Sequence, residues 1–226
     1  MPGAIVIGAG PGIGTSVAQR LAREGLPVAV LARSRATVDA ALGSLAGIGS
    51  DTVGVTADVT DEHALRAALD EVVDRLGVPE VLVYNAALIQ SDVLGELTAA
   101  QHLDAWAVNV VGAITAVAHL GPAMSQAGRG TILLTGGMPE PVPEVTSLSL
   151  GKAGVRALAQ LLARAYEPSG VHVATVTVGG AVAPGSVFDP DEIAEHYWRL
   201  HTQPLGSWER EVLYSGPLTP PAARPR

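Results

Sequence analysis

Six short runs rich in β-branched residues alternate with longer segments whose apolar residues recur every three or four positions, and this alternation constrains the chain more than any other feature. The runs are AIVI (4–7), VAVLA (28–32), TVGVTA (52–57), EVLVY (80–84), TILLT (131–135) and VHVATVTV (171–178). Continuous apolar runs of this length read as buried strands. The segments between them are GIGTSVAQRLAREG, SRATVDAALGSLAGI, DEHALRAALDEVVDRLG, TAAQHLDAWAVNVVGAITAVAHL and SLGKAGVRALAQLLARAYE. Several open on Thr, Ser or Asp, whose side chains accept the free amides of a first helical turn. Strands alternating with helices demand a parallel sheet covered on both faces and joined by right-handed crossovers. The expected fold class is α/β, a doubly wound parallel sheet in a single domain.

Composition narrows the function classes. The 226 residues are 48% hydrophobic and 16% charged, which suits one compact domain with a large core. A net charge of -8 disfavours nucleic acid or an anionic membrane as partner. The absence of cysteine excludes disulfides, thiolate catalysis and Cys-based metal sites. No His/Asp/Glu cluster has metal-ligand spacing, so no metal is expected. The opening MPGAIVIGAG has no basic leader region, which points to a cytoplasmic location. Residues 106–124 are long and uncharged enough to suggest a membrane span, but Asn109, Thr115, His119 and Pro122 interrupt them, so a buried helix is expected. The Pro-rich end, GPLTPPAARPR, carries no core pattern, so the domain is taken as 1–216 and residues 217–226 as a tail. His63, His102 and His172 read as surface residues, and His119 as a helix-packing one.

Between the first strand and the first helix stands GAGPGIG, with Gly8, Gly10, Gly12 and Gly14 and with Ile13 among them. Glycines let a backbone turn tightly against a pyrophosphate, and the helix N-terminus offers amide donors and positive potential. This placement makes a Rossmann fold the expectation. The second strand ends in Ala32 and Arg33. An acid there binds a ribose 2′-hydroxyl, whereas an arginine pairs with a 2′-phosphate, so NADP(H) is expected over NAD(H).

Taken together, these residues resemble the short-chain dehydrogenase/reductase family from about residue 4 to about residue 180, and less closely to 216. GAGPGIG matches the family's loop at Gly8, Gly12 and Gly14. ADVTD supplies Asp58, followed by Val59, at the position that meets the adenine in that family. YNAA resembles its Asn-Asn-Ala-Gly segment, with Asn85 and Ala86 matching and Tyr84 and Ala87 departing. Asn109 in VNVVGA matches a helix asparagine that holds a water relay, and Lys152 matches the active-site lysine. The cofactor residues implied are therefore Gly8, Gly10, Gly12, Ile13, Gly14, Arg33, Asp58, Val59, Asn85, Ala86 and Lys152. The resemblance also implies a homodimer or homotetramer formed through the helices flanking the fourth and fifth strands.

Two matches fail. The family places a general-acid tyrosine four residues before the lysine and a carbonyl-binding serine after the fifth strand. Here those positions hold Leu148 and, after TILLT, Gly137, and the later Pro-Gly is Gly179-Gly180. Because i and i+4 stack on one helix face, a one-residue slip to Ser147 or Ser149 is disfavoured. Catalytic candidates are Lys152, Asn109 and Ser149, the last through a Ser-x-x-Lys spacing. Glu140, Glu144 and Thr146 lie in the loop that passes over the substrate side in the family. His196, Tyr197 and His201 lie in a segment that by position resembles its substrate-covering helix. A pocket lined by Leu148, Gly137 and Met138 would be apolar and roomy, so the expected partner is a small-molecule substrate of bulky, apolar character. The expected function is an atypical NADP(H)-dependent oxidoreductase. A non-redox cyclase or isomerase, or a catalytically inactive NADP(H)-binding sensor, stands as the alternative.

Overall fold

The computed structural model describes residues 3–216. The tail expected at 217–226 lies outside them. Seven strands form one sheet: β1 (Ala4–Ile7), β2 (Val28–Ala32), β3 (Thr52–Thr56), β4 (Val81–Tyr84), β5 (Gly130–Thr135), β6 (Val171–Val178) and β7 (Glu211–Tyr214). Their order is β3-β2-β1-β4-β5-β6-β7, and every neighbouring pair is parallel. The chain winds outward in one direction from β1 and in the other from β4. A crevice therefore opens at the carboxyl ends of those two strands, where open α/β sheets take their ligands.

The period-two rule divides each central strand between two cores. Ile5 and Ile7 face the layer built by α3 (Glu62–Leu76), α5 (Gly112–Ala127) and α6 (Thr146–Tyr166). Ala4 and Val6 face the opposite layer, built by α1 (Ile13–Arg23), α2 (Arg35–Leu45) and α7 (Pro190–His201). Ser34, Asp61 and Thr98 cap α2, α3 and α4 (Ala99–Trp106) through their side chains, and Thr98 closes a capping box with Gln101. The predicted strands stand within a residue of their expected bounds. The strand β7 has no counterpart in the sequence reading. It is four residues long and buries only Val212 and Tyr214, too short an alternation to stand out.

The apolar run Ala99–Ala127 has the length and hydropathy of a membrane span, yet 56% of its most apolar window is buried inside the protein. Val110, Ala113, Ala116, Val117, Leu120 and Met124 pack into the core shared with α3 and the sheet. The run is not one α-helix. Residues Ala107–Val111 form a π-helical stretch between α4 and α5, and Asn109 sits within it.

Two expectations are corrected by packing. The helix α7 does not cover the crevice. Ile193, Ala194, Tyr197 and Leu200 are buried in the same core as Val17, Ala18 and Leu21 of α1, so α7 is a layer helix. His172 is not a surface residue either. It is 1% exposed, stacks on Trp208 at 5.0 Å and lies against the carbonyls of Leu200 and Glu209. His119 does pack between helices, bridging Asp70 and Arg66 of α3.

Candidate cofactor and active site

The loop after β1 is held from both sides. Gly8 has φ +89°, and a Cβ there would collide with the Ala86 backbone. A Cβ on Gly14 would strike the Gly8 carbonyl oxygen and Ala9 Cα. Both positions are closed to any larger residue, whereas Gly10 has open space around it. No side chain caps α1. Thr15 N–H donates to the Gly10 carbonyl and Ser16 N–H to the Gly12 carbonyl, while the amides of Ile13 and Gly14 donate to no acceptor among the described residues. Free amides at an uncapped helix start, with the backbone bared by glycine, form a concave surface suited to an anion. A cleft of about 540 Å³ adjoins the loop, bordered by Pro11, Gly12, Thr15, Thr37 and Asp189.

Asn85 ties this loop to the strand ends. Its Nδ2 donates to the Gly8 carbonyl at 2.8 Å, and its Oδ1 accepts from Thr135 Oγ1 at 2.9 Å. Because Thr135 spends its proton on Asn85, the Tyr197 hydroxyl 2.6 Å away donates to Thr135 Oγ1. Tyr197 thus reaches the site from beneath the sheet, as a buried brace. The Thr135 carbonyl accepts from Lys152 Nζ at 2.7 Å. Thr135 therefore joins Asn85, Tyr197 and Lys152. Sequence reasoning passed over it, since a threonine closing a buried strand carries no distinguishing pattern.

Lys152 is buried, and loss of hydration lowers its pKa to about 8. Gly137 faces it: a Cβ on Gly137 would lie 3.6 Å from Lys152 Cγ, an ordinary contact. The next residue, Met138, is the one non-glycine with positive φ (46°) among the described residues. Arg156 fixes that turn by donating to the carbonyls of Gly137 (2.6 Å) and Met138 (3.0 Å). Leu148 lies one turn before Lys152 and is 4% exposed. It is more enclosed than an open pocket wall.

Asn109 is 1% exposed, and its Oδ1 accepts from Leu88 N–H at 2.9 Å. It touches α6 closely, since a Cβ on Gly151 would come within 2.7 Å of Asn109 Cβ. Asn109 thus packs against α6 at the residue before Lys152, while the hydrogen bonds of its side chain run to Leu88. Ser149 is not brought to Lys152. Its hydroxyl accepts from Val142 N–H at 3.0 Å and donates to the Val142 carbonyl at 3.1 Å. The Ser149 hydroxyl is taken by the preceding loop and Lys152 Nζ by the Thr135 carbonyl, so no Ser149–Lys152 hydrogen bond is formed.

On the other flank, Asp58 accepts from Thr60 N–H (2.9 Å) and Thr60 Oγ1 (2.8 Å), and these bonds hold its pKa below the usual carboxylate range. Val59 follows it, packed near Gly112. Arg33 is exposed at the end of β2 and joins no ion pair among the described residues. Glu140 and Glu144 are exposed, and Thr146 bonds the Pro143 carbonyl. His201 binds Thr131 near the amino end of β5, away from the carboxyl end that carries Thr135, so it leaves the candidate list. His196 rests on Tyr214 at 5.2 Å with Nδ1 unpartnered, and burial pushes its pKa down.

Comparison with known proteins agrees with this geometry. The family described as short chain dehydrogenase matches residues 3–187. A short-chain dehydrogenase/reductase of Armillaria gallica is 30% identical over 214 residues, covering 92% of this chain and 79% of that one. A 3-oxoacyl-(acyl-carrier-protein) reductase of Staphylococcus aureus is 30% identical over 195 residues, covering 85% and 79%. Among solved structures, a metagenomic short-chain oxidoreductase in complex with NADP superposes with a TM-score of 0.86 at 27% identity, covering 94% of this chain and 96% of that one. The crevice at the β1/β4 switch, the glycine loop locked to Asn85 and these similarities have one common explanation: the chain belongs to the short-chain dehydrogenase/reductase family.

Proposed function

We propose that this chain is an NADP(H)-dependent oxidoreductase with a non-standard active site, Leu148 standing for the family's tyrosine and Gly137 for its serine. The observation that carries the reading is an intact cofactor cradle beside a buried Lys152 that lacks a phenol one turn before it. The residues present fit the cofactor. Free amides at Ile13 and Gly14 suit its pyrophosphate, and Arg33 suits a 2′-phosphate. Asp58 and Val59 follow β3 and Asn85 and Ala86 follow β4, so in this reading they meet the adenine and the middle of the cofactor, and Lys152 serves the nicotinamide ribose. The solved relative holding NADP supports this choice. When bound, the cofactor supplies or accepts the hydride.

What the chain's own residues do follows from position. Gly8, Gly12 and Gly14 let the backbone approach the phosphates. Asn109 fixes Leu88 beside the site. Lys152 orients rather than activates, since no tyrosine stands at 148. General acid catalysis contributes about 10²–10⁴-fold in rate, so a ketone held here lacks that assistance. An already protonated or C=N substrate needs less of it. The enclosed Leu148 and the bare Gly137 favour an apolar ligand.

The same two positions favour a second reading, in which the scaffold serves a non-redox cyclase or isomerase, or only senses the cofactor. Titration with NADPH and NADH by nicotinamide fluorescence, followed by a panel of aldehydes and ketones, tests both readings. NADPH is expected to bind about tenfold or more tightly than NADH, and Arg33→Ala is expected to erase that margin by weakening NADPH alone. Simple ketones are expected to turn over far below the usual range of about 1–10³ s⁻¹. Equal affinities overturn the cofactor assignment. Ordinary ketone turnover overturns the non-standard site.

The exposed apolar residues Leu103, Trp106, Val111 and Ile114 on the α4–α5 run, with Leu150 and Leu161 on α6, supply the face for a homodimer or homotetramer.

A further inference from the structure

Among the described residues, Asp92 is the one buried Asp or Glu, at 0% exposed, and none of its hydrogen bonds runs to Lys152 or the glycine loop. It lies in the segment that follows β4, and all its bonds run to the segment that opens α6. Its N–H donates to the Glu144 carbonyl at 2.9 Å, and its carbonyl accepts from Thr146 N–H at 3.0 Å. These bonds make an isolated parallel bridge between Asp92 and Val145. The carboxylate then divides its two oxygens: Oδ2 accepts from Ser147 N–H at 2.9 Å, and Oδ1 accepts from Ser147 Oγ at 2.9 Å. Ser147 Oγ also accepts from Gln90 Nε2 at 3.4 Å.

The helix α6 has Val145 at its N-cap position and no side-chain cap of its own. Asp92 supplies the missing acceptor from another part of the chain, on the second residue of the helix. The carboxylate also complements the positive helix N-terminus. This contact does more than end a helix. Ser147 immediately precedes Leu148, and Lys152 follows one turn later, so the bond sets the rotation and height of α6 against the strand ends. The same segment carries Leu88, which Asn109 holds from the π-helical stretch. The loop after β4 is therefore fastened to the α4–α5 run at Leu88 and to α6 at Asp92.

We infer that Asp92 is a positioning residue for the nicotinamide half of the cofactor site, setting the phase of α6 so that Lys152 meets the ribose. The inference rests on the NADP(H) reading above. The sheet order separates the two halves of the site. Arg33 and Asp58 stand at the ends of β2 and β3, on one side of β1, whereas Asp92 joins the segments that follow β4 and β5, on the other. Loss of Asp92 disturbs what lies over β4 and β5 and leaves the adenine half in place.

The test compares two ligands on three proteins. Isothermal titration of NADPH, and of 2′,5′-ADP as a probe of the adenine half alone, is carried out on the native chain, Asp92→Ala and Asp92→Asn. Asp92→Ala leaves Ser147 N–H and Oγ without their buried acceptor. It is expected to weaken NADPH about tenfold while leaving 2′,5′-ADP within about twofold of native. Asp92→Asn keeps one amide oxygen for Ser147 N–H and is expected to recover most of the loss. A merely structural cap would lower stability without changing the ratio of the two affinities. If Asp92→Ala does not fold, Ser147→Ala carries the same comparison, with a loss of about threefold on NADPH alone. A native chain that binds neither ligand overturns the cofactor reading and this inference with it. A native chain that binds both, with an unchanged ratio in the Asp92→Ala or Ser147→Ala protein, overturns the inference alone.

Discussion

Lys152 carries a positive charge into the interior, where among the described residues no carboxylate pairs with it and its one hydrogen bond goes to the Thr135 carbonyl. Burial alone lowers its pKa to about 8, against about 10.4 in an unfolded chain. Below about pH 8 both states are protonated, and folding bears the full cost of the buried charge, on the order of 3 kcal/mol. Between about pH 8 and 10 the unfolded chain holds more protons, so stability rises with pH. Tyr84 and Tyr197 are both pushed above the usual phenol range by burial, which acts in the opposite direction only near pH 10 and beyond. Urea unfolding of the cofactor-free chain from pH 7.5 to 9.5 is expected to show a rising midpoint, and Lys152→Met is expected to flatten it. A flat profile in the native chain would show that Lys152 is hydrated. Nothing in GKAG announces this shift; it arises from the enclosure of the side chain. The candidate role of Lys152, by contrast, was legible through the resemblance of its segment to the family, and the helical period added only that position 148 shares its face.

The helix α6 places position 148 and Lys152 on one face and Gly137 against Lys152, so restoring the two absent side chains is a matter of room. Gly137→Ser has it: the nearest atoms to a Cβ there are the Lys152 methylenes at 3.6 and 3.7 Å. Leu148→Tyr has less, because Leu148 is 4% exposed, and added volume in a packed position costs about 1–3 kcal/mol. The double variant is expected to fold with a lowered melting point and to gain weak ketone reduction with NADPH, exceeding the sum of the two single gains, since both groups act on one oxygen. A folded, NADPH-binding double variant without that gain would move the non-redox reading to first place. At this scale the sequence reading of α7 fails for an instructive reason. Its position in the chain, through the family resemblance, suggested a cover for the crevice, but its apolar stripe of Ile193, Ala194, Tyr197 and Leu200 is what α1 and the sheet bury. Periodicity identifies the buried stripe of a helix without naming the layer that will cover it.

The sheet divides the molecule into two cores, and the layer containing α4, α5 and α6 leaves an apolar surface outside. Leu103 is 68% exposed, Ile114 44% and Leu161 65%. A contiguous apolar patch marks an interface more often than a free surface, and several large apolar side chains exposed on one layer supply the material for one. Light scattering after gel filtration is expected to give a dimer or tetramer mass. Ile114→Glu is expected to shift it toward the monomer while leaving the fold intact, since that side chain stands outside the core. A native monomer at micromolar concentration would remove the assembly proposal and leave the cofactor site untouched.

What the sequence by itself determined is local and repetitive: the strand runs, the helical periods, the glycine loop between β1 and α1, and the spacing of Asn85, Asn109 and Lys152 along the chain. These follow from backbone sterics and from the two side-chain periods, which act over a few residues. What only the tertiary structure decided depends on residues far apart in the chain. Thr135 became the junction of Asn85, Tyr197 and Lys152. Ser149 was turned onto Val142, His172 was taken into the interior, and Asp92 was set on the start of α6. Each is a polar group whose partner is chosen by burial. A buried donor or acceptor must be satisfied by whatever the fold brings near it, and no pattern along the chain encodes that meeting.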